Sequence, residues 1–138
     1  MEFANGMKIY VDGISQALTI VANTLTGTAL NNNSVCIGRR PSGAACENYR
    51  VNGVLDEVRI YNRALSPDEI KRLYRIGAST KINTSINTGT ISQGLVGYWD
   101  FSEKNMGTTS VSDLSGNGNT GWLVNGVQRA IGKIGQGI

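Results

Sequence analysis

The sequence predicts an all-β fold carrying one short helix, and three features point to it. The chain of 138 residues contains 18 glycines, many of them beside Asn or Asp, the composition of frequent tight turns. Short runs alternate apolar and polar residues, as in residues 7–11, where Ile9 and Val11 share one face and Lys8 and Tyr10 the other. A single segment, opening at Ser66-Pro67, carries the chemistry of a helix start. Hydrophobic residues make up 40% and charged residues 17%, at a mean hydropathy of -0.16. That is the profile of an ordinary folded chain, without the low hydrophobicity of a disordered one. The length suits one domain.

Taken in order, residues 7–11 read as a strand running into an Asp12-Gly13 hairpin turn, with residues 16–23 as the return strand. Residues 30–34, with three consecutive asparagines, read as a loop, and residues 34–39 as the next short strand. Residues 54–61 give the strongest strand pattern, with Asp56, Val58 and Ile60 on one face and Glu57, Arg59 and Tyr61 on the other. A helix is expected over residues 67–76. Ser66 is its N-cap, Pro67 suits its first position, and Glu69 can complete a capping box. Leu65 and Ile70 can staple its start, and Gly77 is placed as a C-cap. So short a helix is marginal in water, so it must pack on the strands. Residues 78–93 are rich in Ser, Thr and Asn and read as a linker, with a weak edge strand as the alternative. Residues 95–101 form a strand with Val96 and Tyr98 opposite Gly97, Trp99 and Phe101, and residues 122–124 form another after the turn GNGNTG.

Several of these segments carry a resemblance. Residues 53–70, GVLDEVRIYNRALSPDEI, resemble the closing strand and helix of a laminin-G-like jelly-roll domain of the concanavalin A-like lectin/glucanase superfamily. Residues 94–101, GLVGYWDF, and residues 113–121, DLSGNGNTG, resemble the opening of such a domain. With MKIYVDG and VCIGRRPSG resembling its late strands, the likeness covers nearly all of residues 7–76. The resemblance implies an antiparallel β-sandwich of jelly-roll type, with its two halves in reversed order. Residues 1–77 would be the C-terminal half of one domain, 78–93 a linker and 94–138 the N-terminal half of the next. Alternatively, residues 1–138 form one composite, permuted domain. In this superfamily the first and last strands lie side by side, so GLVGYWDF is expected to pair antiparallel with DEVRIYN. The inner strands of a full domain are missing, which favours self-association or strand exchange between copies.

Catalysis finds little support. The chain has no histidine, which excludes His-based triads. Asp56 and Glu57 are neighbours on a strand, so they point to opposite faces and cannot work as an acid/base pair. The alternating acidic strand of related glycosidases is absent. Asp68 and Glu69 belong to the helix start. A calcium site is the sharper expectation. Asp113, Asn117 and Asn119 crowd carboxylate and amide oxygens into one tight loop, and the expected strand pairing brings Asp56 towards it. The competing reading makes Asp113 and Asn117 the anchors of Asx turns. For a sugar, Tyr49 in the loop after Cys46 and Trp122 after a glycine turn are the candidate contacts, while Trp99 and Phe101 read as core.

Cys36 and Cys46 flank a segment able to fold back, which leaves a disulfide and a buried free thiol both open. The densest basic positions, Arg39, Arg40, Arg50, Lys71, Arg72 and Arg75, are not interleaved with aromatics, so no nucleic-acid partner is expected. No apolar run is long enough to insert into a membrane, and the opening residues read as strand rather than as a signal peptide. The expected function is a non-catalytic, extracellular or cell-surface module that binds carbohydrate or another ligand, its partner a glycan or a surface protein. A structural or adhesive repeat without a ligand of its own is the alternative, and a glycoside hydrolase the third reading.

Overall fold

The structure, a computed structural model, describes residues 7–19, 34–42, 45–78, 91–124, 127–132, 134 and 136–138. The chain divides into two compact units, one of Met1–Lys8 with Ala17–Gly53 and one of Ile9–Gln16 with Val54–Ile138. Among the described residues there are ten strands and one helix, and every strand pair is antiparallel. The fold is all-β with one short helix. None of the described helices is long and apolar enough to cross a membrane.

The first strands in the chain, β1 (Tyr10–Val11) and β2 (Ile14–Ser15), belong to the second unit. They are joined by Asp12-Gly13 with φ of 53° and 74°, the left-handed pair that a two-residue hairpin turn requires. That turn sets Ile14 opposite Val11, so the return strand starts earlier than the sequence pattern placed it. Residues 16–19 are irregular, and residues 20–23 lie outside the described residues.

The first unit contributes one hairpin, β3 (Arg39–Ser42) with β4 (Ala45–Arg50), in a register pairing Arg39 with Arg50 and Pro41 with Cys46. A bulge falls between Arg39 and Pro41, as suits a residue with no N–H to donate. The strand expected over residues 34–39 begins only at Arg39, because Gly38 turns the chain there with a φ of 72°. Val51 N–H closes the hairpin base on the Gly38 carbonyl at 3.0 Å.

The centre of the second unit is β5 (Val58–Tyr61) paired antiparallel with β6 (Leu95–Trp99). Val58 faces Trp99, Arg59 faces Tyr98 and Ile60 faces Gly97. The expected partnership of the DEVRIYN and GLVGYWDF segments is therefore present. Both strands are shorter than their sequence patterns, and for one reason. Glu57 and Phe101 adopt φ of 54° and 48°, left-handed conformations that end the extended backbone beside the Val58–Trp99 pair. Before the break, Leu55 exchanges backbone hydrogen bonds with Ile138 at 2.6 and 3.0 Å.

Helix α1 (Pro67–Ala78) starts as its local chemistry dictates. Glu69 N–H donates to Ser66 Oγ at 3.2 Å and Ser66 N–H to Glu69 Oε2 at 2.8 Å, a reciprocal capping box. The Arg63 guanidinium binds both Glu69 oxygens, at 2.9 and 2.7 Å, and donates to the Gln93 carbonyl at 2.8 Å. This tie holds the helix start to the turn that leads into β6. The helix runs on to Ala78 because Gly77 does not take the left-handed φ of a C-cap.

Beyond β6 the chain forms β7 (Ser110–Val111) with β8 (Gly121–Trp122), then β9 (Ala130–Ile131) with β10 (Gln136–Gly137). The buried apolar side chains among the described residues are Ile91, Trp99, Phe101, Met106 and Val111. Trp99 folds back across its own strand. A Cβ on Gly97 would collide with the indole ring, so only glycine admits that packing. The indole N–H donates to the Asn119 carbonyl at 3.0 Å, joining the core to the loop that follows β7.

Candidate functional site

The loop of residues 113–119 folds onto the outer edge of β6, and Asp113 organises it. Asp113 Oδ1 accepts the backbone N–H of Tyr98 at 3.0 Å and of Ser115 at 2.8 Å. Its Oδ2 accepts Ser115 Oγ–H at 2.8 Å and the Asn119 N–H at 2.9 Å. Ser115 Oγ–H also reaches the Val96 carbonyl at 2.9 Å, a three-centre arrangement. The Asn117 amide donates to the carbonyls of Leu95 and Val96 at 2.9 and 3.2 Å, and the Asn119 amide to Val96 at 2.9 Å. Gly116 and Gly118, with φ of 87° and 75°, supply the left-handed turns between these anchors. Burial acts to raise the Asp113 carboxyl, but the hydrogen bonds from Ser115, Tyr98 and Asn119 outweigh it and hold the carboxyl at about 2.

This geometry bears on whether calcium fits. Calcium binds through oxygen lone pairs, and those of Asp113 are directed at four N–H and O–H donors. Asn117 and Asn119 turn their NH2 groups to the strand rather than to a common centre. Asp56 is engaged elsewhere, its Oδ2 accepting the Ile134 N–H at 2.9 Å. Among the described residues, no group of three or more Asp, Glu, Cys or His side chains could hold a metal ion. As arranged, Asp113, Asn117, Asn119 and Asp56 do not fit a shared calcium site. Oδ1 of Asp56 is nonetheless buried with no hydrogen-bond partner.

A second polar cluster lies on β5 and β6. Arg59 and Tyr98 are cross-strand neighbours, and the guanidinium stacks on the Tyr98 ring at 4.0 Å from its centroid. Glu57 accepts from Arg59 Nη2 and from Tyr98 Oη, the latter at 2.9 Å. Burial, with smaller help from the Glu57 carboxylate, pushes the Tyr98 phenol well above its ordinary range, against the pull of Arg59. Sequence reasoning missed this cluster. The signal was available, since the sequence pattern puts Glu57 and Arg59 on one strand face and the expected pairing puts Tyr98 beside them.

The remaining sequence candidates fall in separate places. Trp122, on β8, is 75% exposed. Tyr49 lies on β4, in the other unit, and its side chain is outside the described residues. The same holds for the Cys46 side chain, so the Cys36–Cys46 pairing also lies outside them. Asp100 is held by Ser102 and Asn105, whose donors reach it at 2.9 to 3.2 Å.

Residues 2–71 match the family model described as the concanavalin A-like lectin/glucanases superfamily. The chain belongs to that superfamily. The match spans just over half of the sequence and includes β5 and the start of α1. In this superfamily member the 113–119 loop and Trp122 lie beyond the matched residues. No curated protein and no solved structure matches the chain.

Proposed function

We propose that the protein is a non-catalytic, carbohydrate-binding module of an extracellular or cell-surface protein, built on a jelly-roll sandwich. The observation carrying this reading is Trp122, which presents its indole to solvent at 75% exposure in a member of a lectin and glucanase superfamily. A flat aromatic face is the usual platform for the apolar side of a sugar ring, and leaving so large a ring in water has a cost that binding recovers. The carboxylates favour binding over hydrolysis. Glu57, Glu69, Asp100 and Asp113 are each held by neighbouring donors. A glycosidase needs two carboxyls facing each other across a bond. A Cys36–Cys46 disulfide belongs to the same extracytoplasmic reading.

The test is a glycan panel followed by calorimetric titration. The proposal expects binding at roughly millimolar Kd, weakened at least about tenfold by Trp122→Ala with Tm unchanged. If the folded chain binds no glycan across the panel, the reading fails and a structural or adhesive repeat takes its place.

A further inference from the structure

We infer that the 113–119 loop is an edge guard, holding the outer edge of β6 closed against strand addition by a second copy of this chain. The inference rests on which groups the loop satisfies. In an antiparallel ladder the residues of a strand point their N–H and C=O alternately to one neighbour and the other. Tyr98 turns its N–H and C=O to Asp113 Oδ1 and Leu114 N–H, which meet them at 3.0 and 2.8 Å. The Val96 carbonyl, on the same edge, receives Ser115 Oγ–H and the amides of Asn117 and Asn119 at 2.9, 3.2 and 2.9 Å. These are the positions an added strand would use, and here side chains imitate its backbone.

The occupant kept out is identified by the strand itself. Two copies of β6 placed antiparallel about Gly97 set Val96 of one opposite Tyr98 of the other. That register brings no like charges together and sets glycine opposite glycine at its centre. An edge of this kind, left open, is a template for pairing, and a symmetric pair is the simplest closed assembly. The inference does not depend on glycan binding.

The experiment is light scattering after size exclusion over a concentration series, with amide hydrogen exchange read at Tyr98. Two full-length variants are used, Asn117→Ala/Asn119→Ala and the same pair with Asp113→Ala. The wild type is expected to stay monomeric with a protected Tyr98 amide. The triple variant is expected to dimerise with a Kd at least about tenfold lower, its Tyr98 amide exposed when dilute and protected again when concentrated. The double variant, which keeps the Asp113 clamp, is expected to shift the same way by less. A folded triple variant that stays monomeric overturns the inference, as does a dimer whose Tyr98 amide remains exposed. Should the triple variant not fold, a folded double variant with wild-type self-association overturns it equally.

Discussion

Asp113 and Asp56 are treated in opposite ways by the same sheet. Asp113, beside the edge of β6, has both oxygens filled by four donors. Asp56, just ahead of β5, has one oxygen on Ile134 N–H and the other buried without a partner. The difference is one of chain distance. Three of the donors to Asp113 come from residues 115 and 119, so closing the loop brings them automatically. The donor to Asp56 lies 78 residues away and arrives only once the C-terminal hairpin has docked. A carboxylate served by its own loop becomes a fixed part of the backbone frame. One that depends on a distant segment retains unsatisfied capacity.

The largest break in this comparison comes from Asp113→Ala. It strands the N–H groups of Tyr98, Ser115 and Asn119 at the β6 edge, with an expected loss of about 2–3 kcal/mol, or roughly 6–15 °C in Tm. Chemical denaturation monitored by tryptophan fluorescence checks it.

Acid gives the next effect. The carboxyls of Asp113 and Glu69 are both held at about 2 in the folded chain, against 3.8 and 4.5 as their ordinary values. For Glu69 the Arg63 hydrogen bond is the main cause, followed by the Ser66 N–H. Because these folded values are depressed, their stabilisation is complete above the ordinary values and is lost as the pH falls towards about 2. Thermal melts across that window should show Tm falling. The fall should be shallower in Asp113→Asn, which has no such proton to take up.

Asp56→Asn is expected to do least. The retained carbonyl oxygen still accepts Ile134 N–H, and a partly buried charge is removed, so stability should stay within about 1 kcal/mol of the wild type. A larger loss would mean that the buried Oδ1 has a partner after all, and the contrast with Asp113 would blur.

What the sequence made legible follows the same division. The Ser66–Glu69 capping box and the Asp12-Gly13 turn depend on residues a few positions apart, and both are present. The partnership of β5 with β6 joins segments about forty residues apart, and it came from the family motifs rather than from local pattern. The strand ends did not come through, because nothing in the residue types of Glu57 or Phe101 announces a left-handed backbone. The residues of the Asp113 loop suit a turn and a calcium site alike. The same oxygens serve either purpose, and only the place of the β6 backbone shows where the donors lie.

The claim at the centre of this account is that Asp113 serves the β6 backbone and not a cation. Thermal unfolding of the full chain in millimolar calcium and in excess chelator tests it most directly. The account predicts the same Tm in both, within about 1 °C. A rise of several degrees in calcium, lost in Asp113→Ala, would contradict it and put a metal where the structure puts four hydrogen bonds.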